Sequence, residues 1–115
     1  MLKVGFEQKE GKLTLVIDGH AGQADIGHDI VCASCSILAY TVAQCVKDAE
    51  KSGCLKTTPE IVLDSGYAVI SCKPTDDMLI DMQNIYLFAE TGYNLLAHNY
   101  PQFVELKQFG QPHKA

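Results

Sequence analysis

Residues 30–46 read IVCASCSILAYTVAQCV, 17 consecutive positions without a charged side chain. The run is too short and too polar for a membrane-spanning helix. It predicts an unusually buried helix, capped at its start by Asp29, continuing to Lys51 and stopping at Gly53. A helix laid on one sheet needs a single apolar stripe. Here Ile30, Val31, Ile37, Leu38, Val42, Val46 and Ala49 spread over more than one face. A second helix, a subunit partner, or both must cover the remainder.

The flanking segments supply the sheet. Leu2, Val4 and Phe6 alternate with Lys3, Gly5 and Glu7, the period of a half-buried strand. Residues 8–11 make a turn, and Leu13, Leu15 and Ile17 alternate again, so the two strands form a hairpin. Residues 19–27 are expected as a loop carrying three glycines. Residues 61–63 and 67–72 flank a short turn at 64–66 and read as a second hairpin. Thr75, Asp76 and Asp77 cap and charge a helix start. Met78, Met82, Ile85, Tyr86, Ala89, Tyr93 and Leu96 then recur at helical spacing, as core packing does. Pro101 ends that region, and residues 102–107 supply a last strand.

The order is ββαββαβ, which predicts an α+β domain: a two-layer sandwich of a mainly antiparallel sheet and two helices. At 115 residues, with 47% hydrophobic and 20% charged side chains, the chain is expected to be one globular domain over residues 1–110, with a tail at 111–115. Its net charge of −5 and the lack of a basic cluster disfavour nucleic-acid binding. The opening MLKVGFEQKE shows no signal-peptide pattern. The five cysteines, an odd and irregular set, do not read as a secreted disulfide framework. Reduced thiols in a cytoplasm are expected.

Within "GHAGQADIGHDIVCASCS", residues 19–36, two histidines and two cysteines fall close together. Three chemistries compete for them. Cys32, Cys35, His20 and His28 are ligand types that zinc accepts, but one loop feeding a hydrophobic helix is an unusual structural zinc site. Cys32-Ala-Ser-Cys35 has the spacing of a redox pair, without the directly preceding strand of a thioredoxin-like unit. The third is a nucleophile. With Asp29 as N-cap, Cys32 sits at the third helical position, where first-turn N–H groups and the helix dipole favour a thiolate. His20, just after the second strand, is a proton shuttle of suitable range. The plain alternative for Cys32 is a small buried hydrophobe. Cys45 and Cys72 read as packing, Cys54 as a loop residue, His28 as a solvated loop residue and His98 as a helix-end residue.

The segment "DGHAGQADIGHDIVCASCS" resembles the signature of the ribosomal-processing cysteine protease family, Prp, through "GHA" after the second strand and "DIVCA..S" at the helix start. The resemblance implies a cytoplasmic, homodimeric endopeptidase that removes an N-terminal extension from ribosomal protein L27. A thiolate–histidine pair needs no Lewis acid, so neither metal nor cofactor is expected, and neither is a nucleic-acid or membrane partner. It implies Cys32 as nucleophile and His20 as general base, with Gly19, Asp29 and Ser36 in supporting positions. Cys35 stands where relatives often carry a small or aliphatic residue, which brings a second thiol near the site. A thiol-redox or zinc module, and a catalytically silent ribosome-assembly factor, are the rival readings.

Overall fold

The computed structural model describes residues 1–19 and 26–108 of the chain. Strands β1 (Leu2–Lys9) and β2 (Lys12–Asp18) are followed by helix α1 (Ile26–Lys51), strands β3 (Glu60–Asp64) and β4 (Tyr67–Cys72), helix α2 (Leu79–Asn99) and strand β5 (Val104–Gln108). The sheet order is β3-β4-β2-β1-β5. All neighbours are antiparallel except β1 and β5, which run parallel. This is the expected α+β architecture in the expected order.

Local chemistry sets the hairpins. Lys9 pairs with Lys12, so only Glu10 and Gly11 form the first turn, both at positive φ (52° and 79°). That pair of left-handed residues gives the turn a twist matching the strands it joins. The strand thus reaches two residues further than the sequence suggests. The second hairpin closes on Ser65 and Gly66, with Asp64 opposite Tyr67.

Helices make the two crossovers. Strands β2 and β3 both run antiparallel to β4, so they are parallel to one another and need a long connection, which α1 provides. By the same logic β5 is parallel to β4 and is reached through α2, with β2 and β1 lying between them. Both helices cover the sheet face that carries Val4, Leu15, Ile17, Ile70 and Val104, all buried. Each fully buried aliphatic side chain there contributes roughly 1.5–3 kcal/mol.

In α1 the buried stripe is Val31, Cys35, Ala39, Val42, Ala43, Val46 and Ala49. Residues 30–51 are long and apolar enough to cross a membrane, because the helix outruns its uncharged segment, but here this stripe is packed into the domain core. In α2, Met82, Tyr86, Ala89, Tyr93 and Leu96 are buried, as the spacing predicts. Their two tyrosines do more than pack. Tyr86 Oη donates to the Ile70 carbonyl (3.0 Å), and Tyr93 Oη to the Cys35 carbonyl (2.9 Å). The expected cap at Thr75 differs. Its hydroxyl donates to Asp77 Oδ1 (2.7 Å) rather than accepting from the backbone, and a single 3₁₀ turn over Asp76–Met78 precedes α2. Asp76 pairs with Lys56 (2.7 Å), which holds its carboxyl below the ordinary value.

Candidate active site

Helix α1 begins at Ile26, which corrects two expectations about its start. Asp29 is not the N-cap but lies inside the helix, at its fourth residue, and His28 is helical rather than a loop residue. Cys32 is the seventh residue, nearly two turns in. In a regular helix its N–H is already committed to the i−4 ladder, and the dipole's influence falls off within the first turn. The orphan donors expected to favour the thiolate therefore belong to residues 26–29. An acidic residue at position 29 still suits a helix N-terminal turn.

From Cys32 the helix presents one face of chemistry. Cys32, Cys35, Ser36, Ala39 and Tyr40 follow at i, i+3, i+4, i+7 and i+8, and all five line a cavity of about 440 Å³. The opposite wall is the tip of the β3–β4 hairpin, Asp64 to Tyr67, with Leu63 beside it. The floor comes from Leu2, Ile17 and Ala68. Cys32 is half-buried, Ser36 exposed, and Tyr40 and Tyr67 are each about half exposed (55% and 46%), so they frame an open mouth.

Gly19 closes the corner of this cavity. Its N–H donates to the Gly66 carbonyl (3.0 Å), tying the end of β2 to the hairpin tip. Its φ is +107°, a region side chains rarely adopt, and a Cβ there would collide with the backbone carbonyl of Met1. Glycine is therefore required by both conformation and space. His20 and most of the expected glycine-bearing loop lie outside the described residues. The structure thus brings Gly19, Cys32 and Ser36 to one cavity.

The second thiol is the better hidden. Cys35 is 5% exposed, and burial pushes its thiol up to about 11; the Tyr93 hydroxyl opposes this and the nearby Cys32 adds to it. Cys72 is likewise raised by burial. Cys54 lies in the loop after α1, as expected, but packs partly against the core, and its N–H donates to the Ala49 carbonyl (2.9 Å). All five cysteines are thiols. Among the described residues no group of three or more His, Cys, Asp or Glu side chains could hold a metal ion; His20, one of the candidate zinc ligands, lies outside them.

Sequence reasoning missed Tyr40, Leu63, Asp64 and Tyr67. The helical series counted on from Cys32 reaches Tyr40 directly. The hairpin wall could not be found that way, because it depends on β4 lying next to β2.

The cysteine protease Prp family model matches residues 1–105. A crystal structure of the essential ribosomal processing protease Prp from S. aureus, in complex with a covalently linked product peptide, has a TM-score of 0.69 and 25% identity, covering 95% of this chain and 100% of that chain. The same protease with a substrate peptide gives 0.69 at 22% identity over the same shares, a likeness of fold. SMU.848 from Streptococcus mutans gives 0.70 at 28% identity, covering 96% of each chain. No curated protein matches.

Proposed function

The chain belongs to the cysteine protease Prp family, and on that premise we propose that it is a ribosomal-processing endopeptidase with Cys32 as nucleophile and His20 as general base. One observation carries the residue assignment. Cys32 and Gly19 line the same cavity, and His20 is one peptide bond from Gly19.

In the proposed reaction His20 takes the Cys32 proton and the thiolate attacks the scissile carbonyl. Collapse of the adduct breaks the C–N bond, His20 gives its proton to the leaving amine, and a thioester remains. Water activated by His20 then releases the acid product and the thiol. Neither metal nor cofactor enters these steps. Gly19 sets the corner, Ser36 lines the cavity one turn beyond the nucleophile, and Asp29 belongs to the supporting first turn of α1.

The substrate we propose is the N-terminal extension of ribosomal protein L27. An open cavity framed by Tyr40 and Tyr67 suits an extended peptide, and the S. aureus relative was solved with substrate and product peptides. Asp64 at the hairpin tip and the net charge of −5 suit a basic partner. We further propose a cytoplasmic homodimer, because Ile30, Ile37 and Tyr40 on α1 stay 48%, 61% and 55% exposed even with α2 packed alongside.

The test is incubation with an L27 that keeps its native N-terminus, with the products weighed by mass spectrometry. Wild type should release one short N-terminal peptide. Cys32→Ala should abolish release, while Cys35→Ser should keep most of it. An intact L27, or cleavage that survives Cys32→Ala, overturns the proposal.

A further inference from the structure

Two thiols share the wall of the cavity. On a helix, side chains at i and i+3 are neighbours, with Cβ atoms about 5–6 Å apart. Cys32 and Cys35 both line the cavity, and the charge of one acts on the other. Their access differs. Cys32 is half-buried, while Cys35 is 5% exposed and held protonated by burial. An oxidant entering from solvent therefore meets Cys32 first, with a protected thiol directly behind it.

We propose that Cys32 and Cys35 form a dithiol site for hydroperoxides, in which Cys32 is oxidised and Cys35 resolves it to an intrahelical disulfide that reversibly switches cleavage off. The switch rests on Cys32 being the reactive thiol of the proposed protease site. In the first step the Cys32 sulfur attacks one oxygen of hydrogen peroxide. The O–O bond breaks, the departing hydroxide takes the thiol proton as water, and a sulfenic acid remains. In the second, the Cys35 sulfur attacks the Cys32 sulfur, the S–O bond breaks, and the leaving hydroxide takes the Cys35 proton as a second water. Two thiols lose two electrons and two protons, and the peroxide gains them.

Geometry selects Cys35 as the resolving thiol. Helix pitch sets the two Cα atoms about 5 Å apart, within the span a disulfide accepts. The Cβ atoms must close to about 3.5–4.5 Å, so the turn must tighten by roughly 1 Å. A bond formed under that strain is readily reduced, which suits a switch better than a structural staple. Cys45 lies much further along the same helix, at a rise of about 1.5 Å per residue, and Cys54 follows the helix end. Cys72 is buried in β4, within 3.8 Å of the Tyr86 hydroxyl.

The experiment treats the full chain with hydrogen peroxide and reads intact mass, then tryptic peptides under thiol-blocking conditions. The expected product has lost two hydrogens, and dithiothreitol restores them together with cleavage activity. Trypsin leaves Cys32, Cys35 and Cys45 on the single peptide 13–47, with Cys54 and Cys72 elsewhere. The link should lie inside that peptide in wild type and in Cys45→Ala. In Cys35→Ala, or in Cys35→Ser if the alanine variant fails to fold, the link should vanish. Cys32 should then gain oxygen atoms, and its inactivation should resist dithiothreitol. A link that survives loss of Cys35, or a wild type that gains oxygens on Cys32 without a link, overturns the proposal. The mass readout does not depend on the chain's own cleavage activity: a chain that links but cleaves nothing refutes the protease reading, and one that cleaves but never links refutes the switch.

Discussion

Cys35 sits where burial works against the loss of a proton. Its thiol is pushed from the ordinary value of 9.0 up to about 11 by burial. The unfolded chain therefore releases that proton at lower pH than the folded one, and stability present below pH 9 is lost as pH rises towards 11. Over that window the loss amounts to about 2 kcal/mol. The buried hydroxyls of Tyr86 and Tyr93, also raised by burial, add to the loss above their ordinary value of 10.0. Denaturant unfolding measured across this range should show stability falling from about pH 9. In Cys35→Ala the first part of the decline should flatten; an unchanged slope would show that the thiol is not what titrates. His20 acts at the same scale but on rate. Because its proposed work is proton transfer, His20→Ala should lower kcat by about 10²–10⁴-fold and alter KM much less. A comparable rise in KM at unchanged kcat would make it a binding residue instead.

The end of β2 and the start of α1 show how far local sequence reaches. Both hairpins were legible, because alternation fixes which side chains face inward and a two-residue turn fixes the register. The start of α1 was not. Gly27 is a poor helix former and Asp29 a strong cap, so residues 26–29 read as a loop ending in a cap, yet they are helical. Cys32, Gly19 and Ser36, which the motif marks, line one cavity, whereas Tyr67 and Asp64 reach it through a strand pairing no local pattern encodes. Gly19 combines both levels, marked by the motif and explained only by the packing. At its φ of +107°, Gly19→Ala would carry conformational strain as well as a clash with the Met1 carbonyl. We expect unfolding free energy to fall by at least about 2 kcal/mol. Cleavage should fall too, since the displaced residue adjoins His20. An Ala variant as stable as wild type by denaturant titration would mean that β2 can end in another conformation without cost. Tyr93→Phe is a milder element-level test. Removing the hydroxyl that donates to Cys35 in α1 should cost about 1 kcal/mol.

The whole molecule leaves apolar surface that its own layers do not cover. The sequence anticipated this for α1, whose uncharged run exceeds what one sheet can bury, and α2 indeed packs beside it with Gly92 against Leu38. The crossover helix adds a second uncovered stripe that its regular core spacing had masked. Ile80, Leu87, Phe88 and Leu95 are 68%, 57%, 81% and 59% exposed. At about 100° per residue these four fall within one arc of roughly 100° on α2. Monomeric soluble proteins rarely expose a contiguous apolar patch of this kind, whereas homodimer interfaces are rich in it. A second copy of the chain is the occupant the proposed homodimer supplies. Light scattering on wild type at micromolar concentration should therefore give twice the 12.6 kDa chain mass. Phe88→Asp places a charge at the most exposed position of the stripe and removes no core contact, so it should yield a folded monomer with little change in unfolding. Ile37→Asp does the same on α1. If Phe88→Asp stays dimeric while Ile37→Asp dissociates, the two copies meet through the helix that carries Cys32. A wild type that scatters as a monomer would end the dimer proposal, and the stripe on α2 would then need a different partner.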